Sequence, residues 1–183
     1  MNIYLLADDD GWAIIDAGFG DDDTFDTWER LLEGPLKGER FTRLIVTHGH
    51  IDHVGAAGWL CRRLDIPLYM SEIEYFTTRM ELADPDRIRT SFYADTFRRM
   101  GAGDDLISSM ADHAGRYSEG VGRLPESFHP LVEHHSVGIG GRDFKILLGP
   151  GHSPGQAMLY SASDSLFFCA DQGLRGHFCN NTR

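Results

Sequence analysis

Three imidazoles and one carboxylate occupy six consecutive positions, His48-Gly49-His50-Ile51-Asp52-His53, directly after the apolar run Leu44-Ile45-Val46. Neutral imidazole and carboxylate are the side chains that bind Zn²⁺ and related ions. On an extended or turning backbone His48 and His50 share a face, while Asp52 and His53 point to a second position. That arrangement suits two adjacent metals better than one. Gly49 allows the backbone to fold closely around such a site. Histidines also cluster by chance on surfaces, but nine histidines in 183 residues are a poor source of three within six positions behind a buried strand.

A second pattern, Gly151-His152-Ser153-Pro154-Gly155, fits the G-x-S-x-G elbow of serine hydrolases. That elbow uses the backbone N–H after the serine in its oxyanion hole. Pro154 has no N–H, and Gln156-Ala157-Met158-Leu159-Tyr160 reads as strand rather than helix, so a serine nucleophile is excluded. His134-His135 reads as a solvated pair, His113 and His129 as surface, and Cys169 as core. The acidic clusters at 8–10 and 21–23 read as a turn and a helix start, not calcium sites.

The elements that must carry these residues are legible from periodicity. Ile3-Tyr4-Leu5-Leu6 and Trp12-Ala13-Ile14-Ile15 flank an Asp-Gly turn and predict a hairpin. A helix follows, with Asp21, Asp22 and Asp23 at its positive end and Phe25, Trp28, Leu31 and Leu32 on one face. Leu44-Ile45-Val46 predicts a buried strand, Val54 to Leu64 a helix, and Pro67-Leu68-Tyr69-Met70 the next strand. From Ser71 to about Gly115 the chain turns helical, with a Ser71/Glu74 capping box and a second start at Asp84-Pro85. The apolar residues of this insert are read mainly as packing within it. Residues 116–130 read as loop, and strands resume at 137–139, 144–148, 157–160 and 166–169. This order predicts an α/β layered fold in one domain over 1–183, with an insert at about 71–130.

Lys+Arg number 17 against 28 Asp+Glu, a net charge of −11. Such a surplus repels phosphate backbones, so no nucleic-acid partner is expected. No run approaches the roughly 20 apolar residues needed to span a bilayer, so no membrane partner is expected. The first residues lack the basic region of a signal peptide. Three unpatterned cysteines fit a reducing cytoplasm. A homo-oligomer is compatible with the sequence, which does not decide the oligomeric state.

Together these motifs resemble the metallo-β-lactamase superfamily. Its H-x-H-x-D-H signature is matched by His48, His50, Asp52 and His53, and its D-x-G turn by Asp16-Ala17-Gly18. The G-H-[ST]-P-G loop is matched by Gly151-His152-Ser153-Pro154-Gly155, and the bridging aspartate by Asp171 after Leu166-Phe167-Phe168-Cys169-Ala170. The resemblance implies an αββα sandwich in which His48, His50 and His152 hold a first metal. Asp52 and His53 would hold a second, Asp171 would bridge both, and Asp16 would hydrogen-bond near the loop. It implies a zinc-dependent hydrolase, nearest the glyoxalase II-like and lactonase-like branches. A zinc-bound hydroxide would attack a thioester, lactone or other ester of a small-molecule substrate, with Asp52 orienting it and passing a proton to the leaving group.

The family's last histidine, which completes the second metal site, has no match. Only His177 follows Asp171, at too short a separation. The C-terminal part of the sandwich therefore reads as incomplete. The alternative is a catalytically impaired or non-catalytic protein binding one metal. A di-iron oxidoreductase reading is weaker, because that branch carries a carboxylate where His50 stands.

Overall fold

The computed structural model describes residues 2–84 and 91–173, without the side chains of 91–93, 111 and 113–115. β1 (Tyr4–Asp8) and β2 (Gly11–Ile15) form the antiparallel hairpin expected from the Asp-Gly turn. β3 (Phe41–Ile45), β4 (Leu68–Met70) and β5 (His129–Pro130) join in parallel, giving the order β1-β2-β3-β4-β5. The parallel connections carry α1 (Asp22–Glu33), α2 (Ile51–Val54) and α3 (Ala57–Leu64). Between β4 and β5 run α4 (Glu72–Ala83), α5 (Ser91–Arg99) and α6 (Asp104–Gly120). A second sheet is an antiparallel meander of β6 (Ser136–Ile139), β7 (Arg142–Gly149), β8 (Gln156–Ser161) and β9 (Leu166–Phe168), followed by a 3-10 turn over Ala170–Gly173.

Side-chain alternation sets the layering. Ile14, Leu44 and Val46 face the helices and pack with Trp28, Leu60 and Tyr75. Their neighbours Ala13, Ile15 and Ile45 point the opposite way, against Phe144, Ile146, Ala157 and Leu159 of the second sheet. The first sheet is thus covered on both faces, which is why Leu44-Ile45-Val46 is a continuous apolar run rather than an alternating one. Helix, sheet and sheet are three of the layers of the α/β sandwich read from the sequence. Among the described residues no α-helix follows β6, and Tyr160 and Phe167 of the second sheet are exposed. No helix among the described residues is long and apolar enough to cross a membrane.

Several boundaries differ from the periodicity. The helix predicted from Val54 to Leu64 is divided at Gly55-Ala56, and at Gly55 neighbouring backbone leaves no room for a Cβ. The helix predicted to stop near Gly115 continues to Gly120. An interior glycine costs only about 1 kcal/mol, and Tyr117 on the added turn is anchored by its hydroxyl. Cys169 is half-buried rather than core, because it follows β9 at the edge of its sheet. The predicted start at Asp84-Pro85 runs into 85–90, outside the described residues.

Asp8 is more than a turn residue. Its carboxylate accepts from Thr42 Oγ1 (2.6 Å), Arg43 Nη2 (2.8 Å) and Gly140 N (2.8 Å), tying the first sheet to the β6–β7 hairpin. Burial alone would raise its pKa, but the bonds from Thr42, Gly140 and Asp9, with the Arg43 charge, outweigh it and hold the carboxyl below its usual range. Asp8→Asn should therefore cost about 1–3 kcal/mol at neutral pH, read by urea denaturation. Because the folded pKa is depressed, this stability is present above the unfolded value of about 3.9 and is lost as pH falls through the folded one. Equal stability of the two proteins at pH 7 would contradict this role.

Candidate metal centre

The candidate residues meet at one edge of both sheets. β2 and β3 are parallel and lead to Asp16 and to Thr47-His48 respectively. β7 and β9, both antiparallel to β8, run in one direction and lead to His152 and Asp171. A hydrogen bond from Ala157 N to Thr47 O (2.8 Å) joins the two sheets at this edge.

Ligand atoms of His48, His50 and His152 lie within 4.8 Å of one another, and so do those of His48, His53 and Asp171. His48 Nε2 is 3.0 Å from His50 Nδ1. Asp171 lies between two imidazoles, with Oδ2 3.3 Å from His152 Nε2 and Oδ1 3.5 Å from His53 Nε2. Asp52 Oδ2 is 3.6 Å from His53 Nε2. All six candidates from the sequence are therefore brought together. His134, His135 and His129 are exposed and lie elsewhere, with His129 stacked on Tyr69. His177 and Cys179 lie outside the described residues, as does the side chain of His113.

Asp16 organises this edge. It adopts a left-handed backbone (φ 63°), a conformation that aspartate tolerates better than most residues. Its carboxylate accepts from Thr47 N (2.8 Å), Thr47 Oγ1 (3.0 Å) and His53 Nδ1 (2.8 Å). With its proton committed to Asp16, the Thr47 hydroxyl accepts from His48 Nδ1 (3.0 Å). One carboxylate thereby fixes the tautomers of two histidines and leaves the Nε2 lone pairs of His48 and His53 facing the site. Burial alone would lower the His53 pKa, but the Asp16 bond and charge outweigh it and hold the imidazole above its ordinary value. Burial pushes the Asp16 carboxyl up against the same contact, as expected of a buried pair sharing one proton.

The donor set fits a divalent metal. Burial, reinforced by the His53, His50 and His152 imidazoles, pushes His48 down to about 2. Partial desolvation of its ring, with His152 beside it, also lowers His50. Neutral imidazole is the ligating form. A tetrahedral Zn²⁺ with Zn–N of about 2.0–2.1 Å needs ligand nitrogens roughly 3.3 Å apart, close to the His48–His50 spacing. His53 Nε2 is buried with no hydrogen-bond partner among the described residues, an arrangement that a cation between it and the carboxylates would satisfy.

A family profile described as "Metallo-beta-lactamase superfamily" matches residues 2–178. The chain belongs to the metallo-β-lactamase superfamily. Within it, a β-lactamase domain protein from Burkholderia ambifaria is 31% identical with a TM-score of 0.75, over 91% of this chain and 46% of its own. TTHA1623, solved in a di-iron-bound form, is 26% identical with a TM-score of 0.62, over 96% of this chain and 69% of its own. A protein of Bacillus subtilis (strain 168) named "Probable metallo-hydrolase YqgX" is 27% identical over 96% of this chain and 67% of its own length. The chain thus spans about half to two thirds of the lengths of these superfamily relatives. This chain brings a group of histidine and aspartate side chains able to hold a metal to one edge of that superfamily fold.

Sequence reasoning passed over one buried side chain of this superfamily member. Glu74, 1% exposed, was legible only as half of a capping box. Ser71 Oγ does accept from Glu74 N (3.3 Å), but the Glu74 carboxylate turns away from the helix end and into the metal edge.

Proposed function

We propose that the chain carries the metal centre of a hydrolase acting on a thioester, lactone or other ester of a small molecule. His48, His50 and His152 would hold one Zn²⁺, Asp52 and His53 a second, and Asp171 would join the two. Residues 1–183 are read as one domain with its insert at about 71–130, working in the cytoplasm. What supports this reading is the approach of His152 to His48 and His50, with three ligand atoms within 4.8 Å from segments far apart in sequence.

A divalent ion held there supplies Lewis acidity and a water that ionises near neutral pH. The protein's own part is positional. The Asp16-Thr47-His48 and Asp16-His53 hydrogen bonds hold two rings in fixed tautomers, so little reorganisation accompanies reaction. Asp52, with 31% of its side chain exposed and Oδ2 3.6 Å from His53 Nε2, would take a proton from the attacking water. It would return that proton to the departing oxygen or sulfur. Ser153 takes no part as a nucleophile. Its hydroxyl is buried and donates to Glu74 Oε1 at 2.7 Å.

The test is hydrolysis of a panel of thioesters, lactones and a single-stranded RNA by Zn²⁺-loaded protein, before and after chelation. Turnover of an ester that a chelator abolishes and Zn²⁺ restores is expected. Bound metal with no turnover would favour the one-metal, non-catalytic alternative, and RNA cleavage alone would overturn the small-molecule assignment.

A further inference from the structure

We infer that Glu74 is a positioning residue for the metal centre, pinning the two histidine-bearing loops to one another. The helical insert, together with the Asp16 network at the ends of β2 and β3, would then set the affinity of the His48/His50/His152 cluster. This rests on the metal reading above.

Glu74 projects from the first turn of α4 and is buried. Its Oε2 accepts from Gly49 N (2.8 Å), the peptide between His48 and His50. Its Oε1 accepts from Ser153 Oγ (2.7 Å) and Gly155 N (2.6 Å), in the loop that carries His152. One carboxylate thus spans both loops with three donors on its two oxygens. A buried carboxylate without such donors would be strongly unfavourable, so the arrangement is mutually enforcing.

The insert grips the same two loops elsewhere. Tyr117 Oη on α6 donates to Gly49 O (2.6 Å), so both peptide groups flanking Gly49 Cα are held from the insert. Ser71 Oγ donates to Gly155 O (2.7 Å). Space is also closed, since a Cβ on Gly49 would lie 2.5 Å from Thr78 Oγ1. His50 is itself exposed, so its place opposite His152 depends on these tethers more than on packing.

The bond between Ser153 and Glu74 gives that serine a role once nucleophilic attack is excluded. It passes the position of α4 to the residue next to His152. Loss of supporting hydrogen bonds around ligating histidines typically weakens metal binding by about 10- to 100-fold.

The test is Zn²⁺ affinity of the full chain, measured by competition with a chelator and without substrate. Glu74→Gln keeps the shape but sets an NH₂ group against a donor. It should weaken Zn²⁺ binding by about 10- to 100-fold and shift the absorption bands of Co²⁺-substituted protein. Ser153→Ala removes one of the three donors and should weaken binding by roughly three- to tenfold. Glu72→Gln, exposed on the same helix, should change nothing.

A purely structural carboxylate would lower the melting temperature and leave the Zn²⁺ affinity and Co²⁺ spectrum of the folded variant unchanged. That result overturns the inference. Should Glu74→Gln not fold, unchanged affinity in Ser153→Ala overturns it equally. A wild-type chain that binds no Zn²⁺ would instead refute the metal reading and this inference with it.

Discussion

His152→Ala should leave a folded protein that holds Zn²⁺ weakly and hydrolyses no ester. The side chain is only partly buried, and its removal leaves both apolar clusters untouched. Its cost falls on the site, where it supplies one of three clustered nitrogens and faces Asp171 Oδ2 at 3.3 Å. Structural zinc sites with four ligands bind with about 10–16 kcal/mol, so one ligand is worth roughly two to three orders of magnitude in affinity. Chelator competition and circular dichroism on the same preparation separate lost metal from lost fold. His152→Ala with wild-type affinity and activity would remove His152 from the centre.

Gly55→Ala should be among the most destabilising single methyl additions to this chain. The backbone at Gly55 is ordinary right-handed helix (φ −50°, ψ −54°), so alanine meets no conformational strain there. The obstacle is space. A Cβ would clash with Gly20 N and lie 2.5 Å from Ile51 O and 2.7 Å from Gly120 O. All three are backbone atoms, which cannot swing aside as a side chain can. The same junction carries the hydrogen bonds Gly20 N to Gly120 O (3.0 Å), Gly122 N to Gly55 O (3.1 Å) and Ala56 N to Gly18 O (3.0 Å).

Relief would require moving α6 or the turn after β2 away from the metal loop. Overpacking of this kind costs about 3 kcal/mol. At roughly 2–4 °C per kcal/mol for a chain of this size, the melting temperature should fall by about 6–12 °C. Gly138→Ala, where an added Cβ meets nothing within 4 Å, should stay within about 0.5 kcal/mol of wild type. A Gly55→Ala protein as stable as Gly138→Ala would contradict the packing described here.

What could be read from the residues follows the range of the interactions involved. The hairpin, the strand before His48 and the later strands were legible because short apolar runs, alternation and turn residues such as Asp-Gly act between near neighbours. The H-x-H-x-D-H run was legible for the same reason, since its ligands share one short loop. Asp16, His152 and Asp171 carry no such local signal and were reached only through motif resemblance.

Glu74 and Tyr117 escaped because their partners are distant in the chain. A glutamate three residues after Ser71 is accounted for locally as a helix cap, and nothing nearby shows that its carboxylate serves Gly49 and Gly155 instead. The end of α6 was misplaced by the same limit. Gly115 is a plausible stop on propensity, and the Tyr117–Gly49 contact that favours another turn is tertiary.

Crystals of the Zn²⁺-loaded chain, measured on both sides of the zinc absorption edge, test the central claim most directly. The account predicts an anomalous peak with His48 Nε2, His50 Nδ1 and a ring nitrogen of His152 each about 2.0–2.1 Å away. Loaded crystals with no peak among these three rings, or with His152 turned out of bonding distance from it, would contradict the account.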